Sequence, residues 1–313
     1  MNRPLTGIVP PMITPVHGRD ELDVAGLERL VEHMLDGGVS GLFVLGTTGE
    51  GPSLSYRLRR ELVERVCRQV RGRVPVLVGI TDTAFVEALT LARFAADAGA
   101  QAVVAAPPYY LPGAQPELRE YLHHLVPELP LPLFLYNMPA LTKVSFELET
   151  VRSAMDDPRI VGLKDSSGDM PYFRSAAALL PHRPDWSLLV GPEEHLMDAL
   201  LAGGHGGVCG GANLFPTLYV GLFEACRAGD LSRARELHEQ VLRVGDALYR
   251  IGRHPSAVIK GVKCALSCLG VCDDFMAEPF HRFRADERSL VEQRLEALQS
   301  EVTALRLHRG EGA

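Results

Sequence analysis

The chain has 313 residues and a mass of 34.1 kDa, too long for a small stapled domain and short for two full α/β domains, so one large domain with an appendage is expected. Its 46% hydrophobic and 23% charged residues exclude a disordered or collagen-like chain. A net charge of −7 and a pI near 5.9 leave no basic excess for a nucleic-acid backbone.

From the N-terminus, the first apolar segment is broken by Pro4, Pro10, Pro11 and Pro15. No stretch approaches ~18 uninterrupted apolar residues, so neither a membrane span nor a signal-peptide core is predicted, and a cytoplasmic location is expected. Eight apolar runs of strand length then recur: Gly7–Val9, Gly41–Leu45, Val74–Ile80, Ala102–Ala106, Leu133–Tyr136, Ile160–Leu163, Leu188–Val190 and Gly207–Cys209. Most are continuously apolar, as parallel strands covered on both faces should be.

Helical patterns fill the intervals. Leu27, Leu30, Val31, Met34 and Leu35 repeat at helical spacing and stop at Gly37-Gly38, a C-terminal signal. Ser55–Val70 follows with Ser55 as a candidate N-cap. Then come Thr83–Asp97, Pro116–Leu125, Ser145–Met155, Pro171–Leu180, Glu193–Leu201 and Pro216–Ala228. Eight βα units within residues 1–228 predict an α/β fold of the (β/α)8 TIM-barrel type, since a doubly wound sheet more often stops at five to seven strands. Residues 229–308 carry no strand run and read as a C-terminal helical appendage, with helices over Leu231–Leu248, Ser256–Leu269 and Ala285–Leu307; residues 309–313 read as a frayed tail.

Six Cys without a C-x-x-C pair describe neither a disulfide framework nor a zinc site. Cys264, Cys268 and Cys272 recur every fourth residue, which puts the thiols on one helical face if a helix runs through all three; buried free thiols are the favoured reading. His33, His195, His205 and the His123-His124 pair share no metal spacing, so no metal is expected. Dinucleotide, P-loop, nucleophile-elbow and H-E-x-x-H signatures are absent, and no cofactor is expected.

In such a barrel the active site lies at the C-terminal ends of the strands. Polar groups gather there: Gly46-Thr47-Thr48-Gly49-Glu50, Pro107-Pro108-Tyr109-Tyr110, Tyr136-Asn137-Met138-Pro139, Lys164-Asp165-Ser166-Ser167, Gly191-Pro192-Glu193-Glu194 and Gly210-Gly211-Ala212-Asn213. Of the 32 basic residues only Lys143, Lys164, Lys260 and Lys263 are lysines. Lys164 directly follows a strand run, where an ammonium must be paired, neutralised or chemically used. As a free amine it suits imine formation, which Arg cannot undergo; the alternative is an ion pair with Asp165 or Glu50. Tyr136 ends the preceding strand and can relay protons, or be simply a core aromatic. Thr47 and Thr48 offer hydroxyls and turn amides to a small carboxylate, or serve the turn itself.

Together these motifs resemble the N-acetylneuraminate lyase / dihydrodipicolinate synthase family of class I pyruvate-dependent aldolases, over nearly the whole chain. The resemblance implies that Lys164 forms the Schiff base with a 2-oxo acid and that Tyr136 relays protons. It implies that Thr47 continues the relay to Tyr110 of a neighbouring subunit, and that Thr48 binds the pyruvate carboxylate. Gly207, Val208 and Gly210 would line the pyruvate pocket of the eighth strand, with Ser166 also at the substrate. Homodimers or homotetramers are implied, with pyruvate and an aldehyde as small-molecule partners and neither nucleic acid nor membrane.

Leu141 stands where dihydrodipicolinate synthases carry a carboxylate-binding Arg, two residues after the Pro of the tyrosine motif. Pro139-Ala140-Leu141 is similar to the neuraminate lyase branch, and Glu193 and Glu194 match its acidic receptors for sugar hydroxyls. A negatively charged first helical turn is the alternative for that pair. Gly210 replaces the hydroxyl side chain usual in lyases. The expectation is therefore a lyase that cleaves or forms a C–C bond between pyruvate and an aldehyde on a 4-hydroxy-2-oxo sugar-acid-type substrate. The alternatives are 4-hydroxy-tetrahydrodipicolinate synthase, with Lys143 replacing the Arg, a 2-oxo-3-deoxy sugar acid dehydratase, and a non-catalytic 2-oxo-acid sensor.

Overall fold

The structure, a computed structural model, describes residues 1–301 apart from positions 2 and 253. Eight parallel strands overlap the eight apolar runs, the last sharing only Gly207 with its run: β1 (Gly7–Ile8), β2 (Leu42–Val44), β3 (Val76–Gly79), β4 (Ala102–Ala105), β5 (Leu133–Asn137), β6 (Ile160–Asp165), β7 (Ser187–Val190) and β8 (Gly206–Gly207). Neighbours pair in sequence order from β2 to β8, and β8 pairs back onto β1. The ring closes through Phe43, whose N–H donates to Pro10 at 3.0 Å and whose carbonyl accepts from Met12 at 2.9 Å. Pro10 and Pro11 have no N–H to extend that ladder, which is why the closing seam is short.

A helix follows each strand: α1 (Val24–Asp36), α2 (Tyr56–Val70), α3 (Phe85–Asp97), α4 (Gln115–Glu128), α5 (Leu148–Ala154), α6 (Met170–Ala177), α7 (Leu196–Leu201) and α8 (Pro216–Ala228). Local chemistry sets their ends. The Asp23 carboxylate caps α1 at Gly26 N, Ser55 Oγ caps α2 at Leu58 N, and the chain leaves α1 through Gly38 at φ +80°, a conformation that favours glycine. Side chains alternate across the strands into two cores. Val9, Phe43, Leu77, Phe134 and Leu189 fill the barrel interior, whereas Val44, Val78, Leu135 and Leu163 pack against the helices.

The appendage consists of α9 (Leu231–Leu248), α10 (Ala257–Cys268) and α11 (Ala285–Glu301), packed on one another and on α8. The part of the last helix expected beyond residue 301, and the tail at 309–313, lie outside the described residues. Among the described residues no helix is long and apolar enough to cross a membrane.

Three local expectations are corrected. The helix expected over Glu193–Leu201 opens with a separate 3-10 turn, Glu193–His195, because the Glu193 carboxylate turns inward. A small antiparallel pair, Val16–Gly18 with Glu21–Leu22, is not legible in the sequence, since strands of three and two residues leave no apolar run. Of the three cysteines at helical spacing, only Cys264 and Cys268 lie on α10. Cys272 falls beyond its end, against Gly26 of α1.

Candidate active site

Tyr136 of β5 and Lys164 of β6 are register partners on adjacent strands, and both project into the barrel. Lys164 is 5% exposed, with Nζ 4.0 Å from the Tyr136 ring centroid and 4.9 Å from that of Phe43. Phe43 meets Tyr136 edge-on, with centroids 6.3 Å apart. This aromatic cradle favours a cation without supplying a counter-ion. Neither carboxylate considered as an ion partner is available. Asp165 points to the opposite face of β6 and accepts from Asn137 Nδ2 at 2.9 Å and Ser167 Oγ at 3.0 Å, while Glu50 is paired with Lys263. Among the described residues no carboxylate lies within ion-pair reach of Lys164.

The Tyr136 hydroxyl lies 3.2 Å from Thr47 Oγ1. Burial pushes this phenol up, but the Lys164 ammonium and the hydroxyls of Thr47 and Ser166 outweigh it and hold the group below the usual tyrosine range. Ser166 reaches Tyr136 from just after β6, where its N–H donates to Asn137 O at 2.8 Å. Gly191 makes room for it, since a Cβ there would stand 1.9 Å from Ser166 Oγ.

The turn that carries Thr47 and the half-buried Thr48 is fixed from several sides. Glu50 adopts φ +55°, Thr14 Oγ1 donates to Gly49 O at 2.7 Å, and a Cβ at Gly49 would approach Met12 O to 2.7 Å. The Glu50 carboxylate takes the fully buried Lys263 of α10 on one oxygen and Ala277 N at 2.8 Å on the other. Lys263 Nζ also donates to Phe275 O at 2.8 Å. The sequence assigns Lys263 no role; only a contact spanning the chain reveals it.

Val208 is buried with the barrel-interior side chains, Gly207 ends β8, and Gly210 opens the turn Gly210–Asn213 beside them. Leu141 is half exposed on the wall of a cavity of about 540 Å3 above the strand ends, which Thr47 and Tyr136 also line. The C-terminal segment completes that wall with His254, Ile259 and Phe280. Sequence reasoning missed these three, which follow no strand and belong to no motif. Arg59 also lines the cavity, but its guanidinium is held by Asp82 Oδ2 at 3.1 Å and Leu54 O at 3.0 Å. Tyr110 does not join Thr47 within the chain; it stands 88% exposed at φ +78° after β4.

Glu194 is exposed at the rim, but the expectation for Glu193 is corrected. Its carboxylate is buried and accepts from Tyr219 Oη at 2.5 Å, Tyr249 Oη at 2.6 Å and Gly211 N at 2.8 Å, so both oxygens are engaged by the protein.

The profile of the Dihydrodipicolinate synthetase family matches residues 4–298. The chain belongs to that family. Dihydrodipicolinate synthetase family members are lysine Schiff-base, pyruvate-dependent lyases on a TIM barrel, and that is the enzyme class and fold of this chain. It is 34% identical over 268 residues to "Probable 2-dehydro-3-deoxy-D-pentonate aldolase YjhH" of Escherichia coli K12, covering 85% of this chain and 88% of that one. A solved structure of dihydrodipicolinate synthase from Bacteroides thetaiotaomicron superposes with a TM-score of 0.93 at 52% identity, covering 95% of this chain and all of that one. YagE of E. coli K12, a prophage protein of the same family solved in complex with pyruvate, superposes with a TM-score of 0.88 at 29% identity, covering 95% and 99%.

Proposed function

We propose that Lys164 is the Schiff-base nucleophile and that the enzyme cleaves a 4-hydroxy-2-oxo acid of sugar-acid type into pyruvate and an aldehyde, or runs the reverse condensation. The observation that carries this reading is a buried amine with no carboxylate partner among the described residues, 4.0 Å from the ring of a tyrosine whose hydroxyl meets Thr47. The Lys164 amine adds to the C2 ketone, and loss of water leaves an iminium. Tyr136, relayed through Thr47, takes the proton of the C4 hydroxyl as the C3–C4 bond breaks, and the bonding pair moves into the iminium to give an enamine. The aldehyde leaves, C3 is protonated, and water releases pyruvate from Lys164. Held below the usual tyrosine range, the Tyr136 phenol gives up its proton more readily, which suits it to take and return the C4 hydroxyl proton.

Thr48, Ser166, Gly207, Val208 and Gly210 surround the pyruvate end, and Leu141 and Glu194 face the aldehyde end. The apolar Leu141 favours a neutral hydroxylated aldehyde over one bearing a second carboxylate. Lys143, the other cation near this end, is exposed with Nζ donating to Ala140 O at 3.1 Å and is not among the residues lining the cavity. The relay is completed by Tyr110 of a second copy in a cytoplasmic homodimer or homotetramer. A second reading, 4-hydroxy-tetrahydrodipicolinate synthase, is favoured by the 52% identity to the Bacteroides thetaiotaomicron protein; turnover of pyruvate with aspartate semialdehyde, exceeding that with hydroxylated aldehydes, would establish it instead.

Borohydride reduction in the presence of pyruvate, followed by peptide mass spectrometry, tests the mechanism. A reduced adduct on Lys164 is expected, and Lys164→Arg should keep the fold but form no adduct. Absence of the adduct, or its appearance on Lys143, would sink the proposal.

A further inference from the structure

Glu193 follows the C-terminal end of β7, where the resemblance to the neuraminate lyase branch implies a substrate-facing carboxylate, yet it reaches into the seam between the barrel and the C-terminal helices. Tyr219 comes from α8 and Tyr249 from the end of α9, and both donate to Oε1; Gly211 N donates to Oε2. The fit is close, since a Cβ at Gly211 would stand 2.0 Å from Tyr219 Oη and 2.8 Å from Tyr249 Oη. On the other side of the same turn, the fully buried Asn213 donates to Gly210 O at 2.9 Å and Pro11 O at 3.0 Å, and accepts from Ile13 N at 3.0 Å. The Gly210–Asn213 turn, whose glycines supply no side chain of their own to anchor it, is thus gripped from the β1–β2 connection and from Glu193.

We infer that Glu193, with Tyr219 and Tyr249, is a positioning set that fixes the strand-eight turn against the pyruvate end of the substrate, and is not a receptor for aldehyde hydroxyls. This rests on the proposal that Lys164 and strand eight bind pyruvate. A carboxylate with both oxygens satisfied has little to gain from a substrate hydroxyl, whereas Gly211 N, in the first turn of its 3-10 segment, finds no acceptor within that segment. Glu194, one residue on and exposed, is left as the acidic group free to meet the aldehyde.

The test is borohydride trapping of the full-length enzyme over a range of pyruvate concentrations, which needs no knowledge of the aldehyde. Glu193→Gln and Tyr249→Phe should each raise the pyruvate concentration for half-maximal trapping, on the order of tenfold, while trapping at saturation still reaches Lys164. A shift in Glu193→Gln with none in Tyr249→Phe would mean that Glu193 touches the pyruvate itself, and no shift in either would mean that the turn does not depend on the set; both outcomes overturn the inference. Should Glu193→Gln not fold, Tyr249→Phe alone decides. Failure of the unaltered enzyme to trap pyruvate on Lys164 would instead remove the underlying reading, a distinct result.

Discussion

Burial by itself would carry the Tyr136 phenol above the ordinary tyrosine range, and the neighbouring Lys164 ammonium with two hydroxyls reverses that direction. The sign follows from which protonation state carries charge: a phenolate beside an ammonium is favoured, and a phenolate in an apolar barrel is not. Lys164→Met removes the cation and leaves the burial, so Tyr136 should then titrate at higher pH than in the unaltered enzyme. Tyrosinate difference absorbance, with Tyr136→Phe subtracted in both backgrounds, reads that shift; an unchanged or lower titration would mean that Lys164 is not the dominant opposing influence. The pairing of these two residues is legible in the sequence, because each ends an apolar run and the two runs are consecutive. The inward turn of Glu193 is not, because its three donors lie 18, 26 and 56 residues further along the chain.

At the scale of elements, the turn after β2 depends on α10. Lys263 is fully buried against Glu50, and its other contact is a main-chain carbonyl, so Lys263→Met would leave a buried carboxylate uncompensated. A loss of about 3–5 kcal/mol in denaturant unfolding is expected, with Glu50→Gln/Lys263→Met losing less than Lys263→Met. A loss under ~1 kcal/mol would place the pair in the class of solvated surface bridges. The helices themselves are readable from Ser55 and the Gly37-Gly38 stop, since caps are local chemistry. The split of Glu193–His195 from α7 is hidden, because a tertiary contact of one side chain overrides the helical pattern there.

Across the whole molecule, Tyr110, Leu111 and Val86 are 88%, 79% and 68% exposed, a set of large apolar side chains that a lone chain leaves in water. The proposal that a second copy covers Tyr110 makes two linked predictions for Tyr110→Ala. Self-association should weaken by about thirtyfold, the loss of ~2 kcal/mol typical of an anchoring aromatic, and turnover should fall with it as the relay from Thr47 is cut. Sedimentation over a range of concentrations and steady-state assay read the two together. Unchanged association with unchanged turnover would confine Tyr110 to a surface role.

The barrel, its rim and the lysine proposed as nucleophile are readable from the chain alone, because apolar runs punctuated by Gly and Pro, most of them continuous, demand burial on both faces, and because that topology gathers the polar groups at strand ends onto one rim. Which carboxylates are already engaged is settled by tertiary contacts. Asp165, Glu50 and Glu193 are all acidic residues at the rim, and nothing in their local sequence separates them. Asn137, Lys263 and the two tyrosines claim them through contacts that the folded chain alone brings within hydrogen-bond reach. Among the described residues Lys164 is thereby left without a carboxylate counter-ion, and that isolation is the physical basis of the chemistry proposed for it.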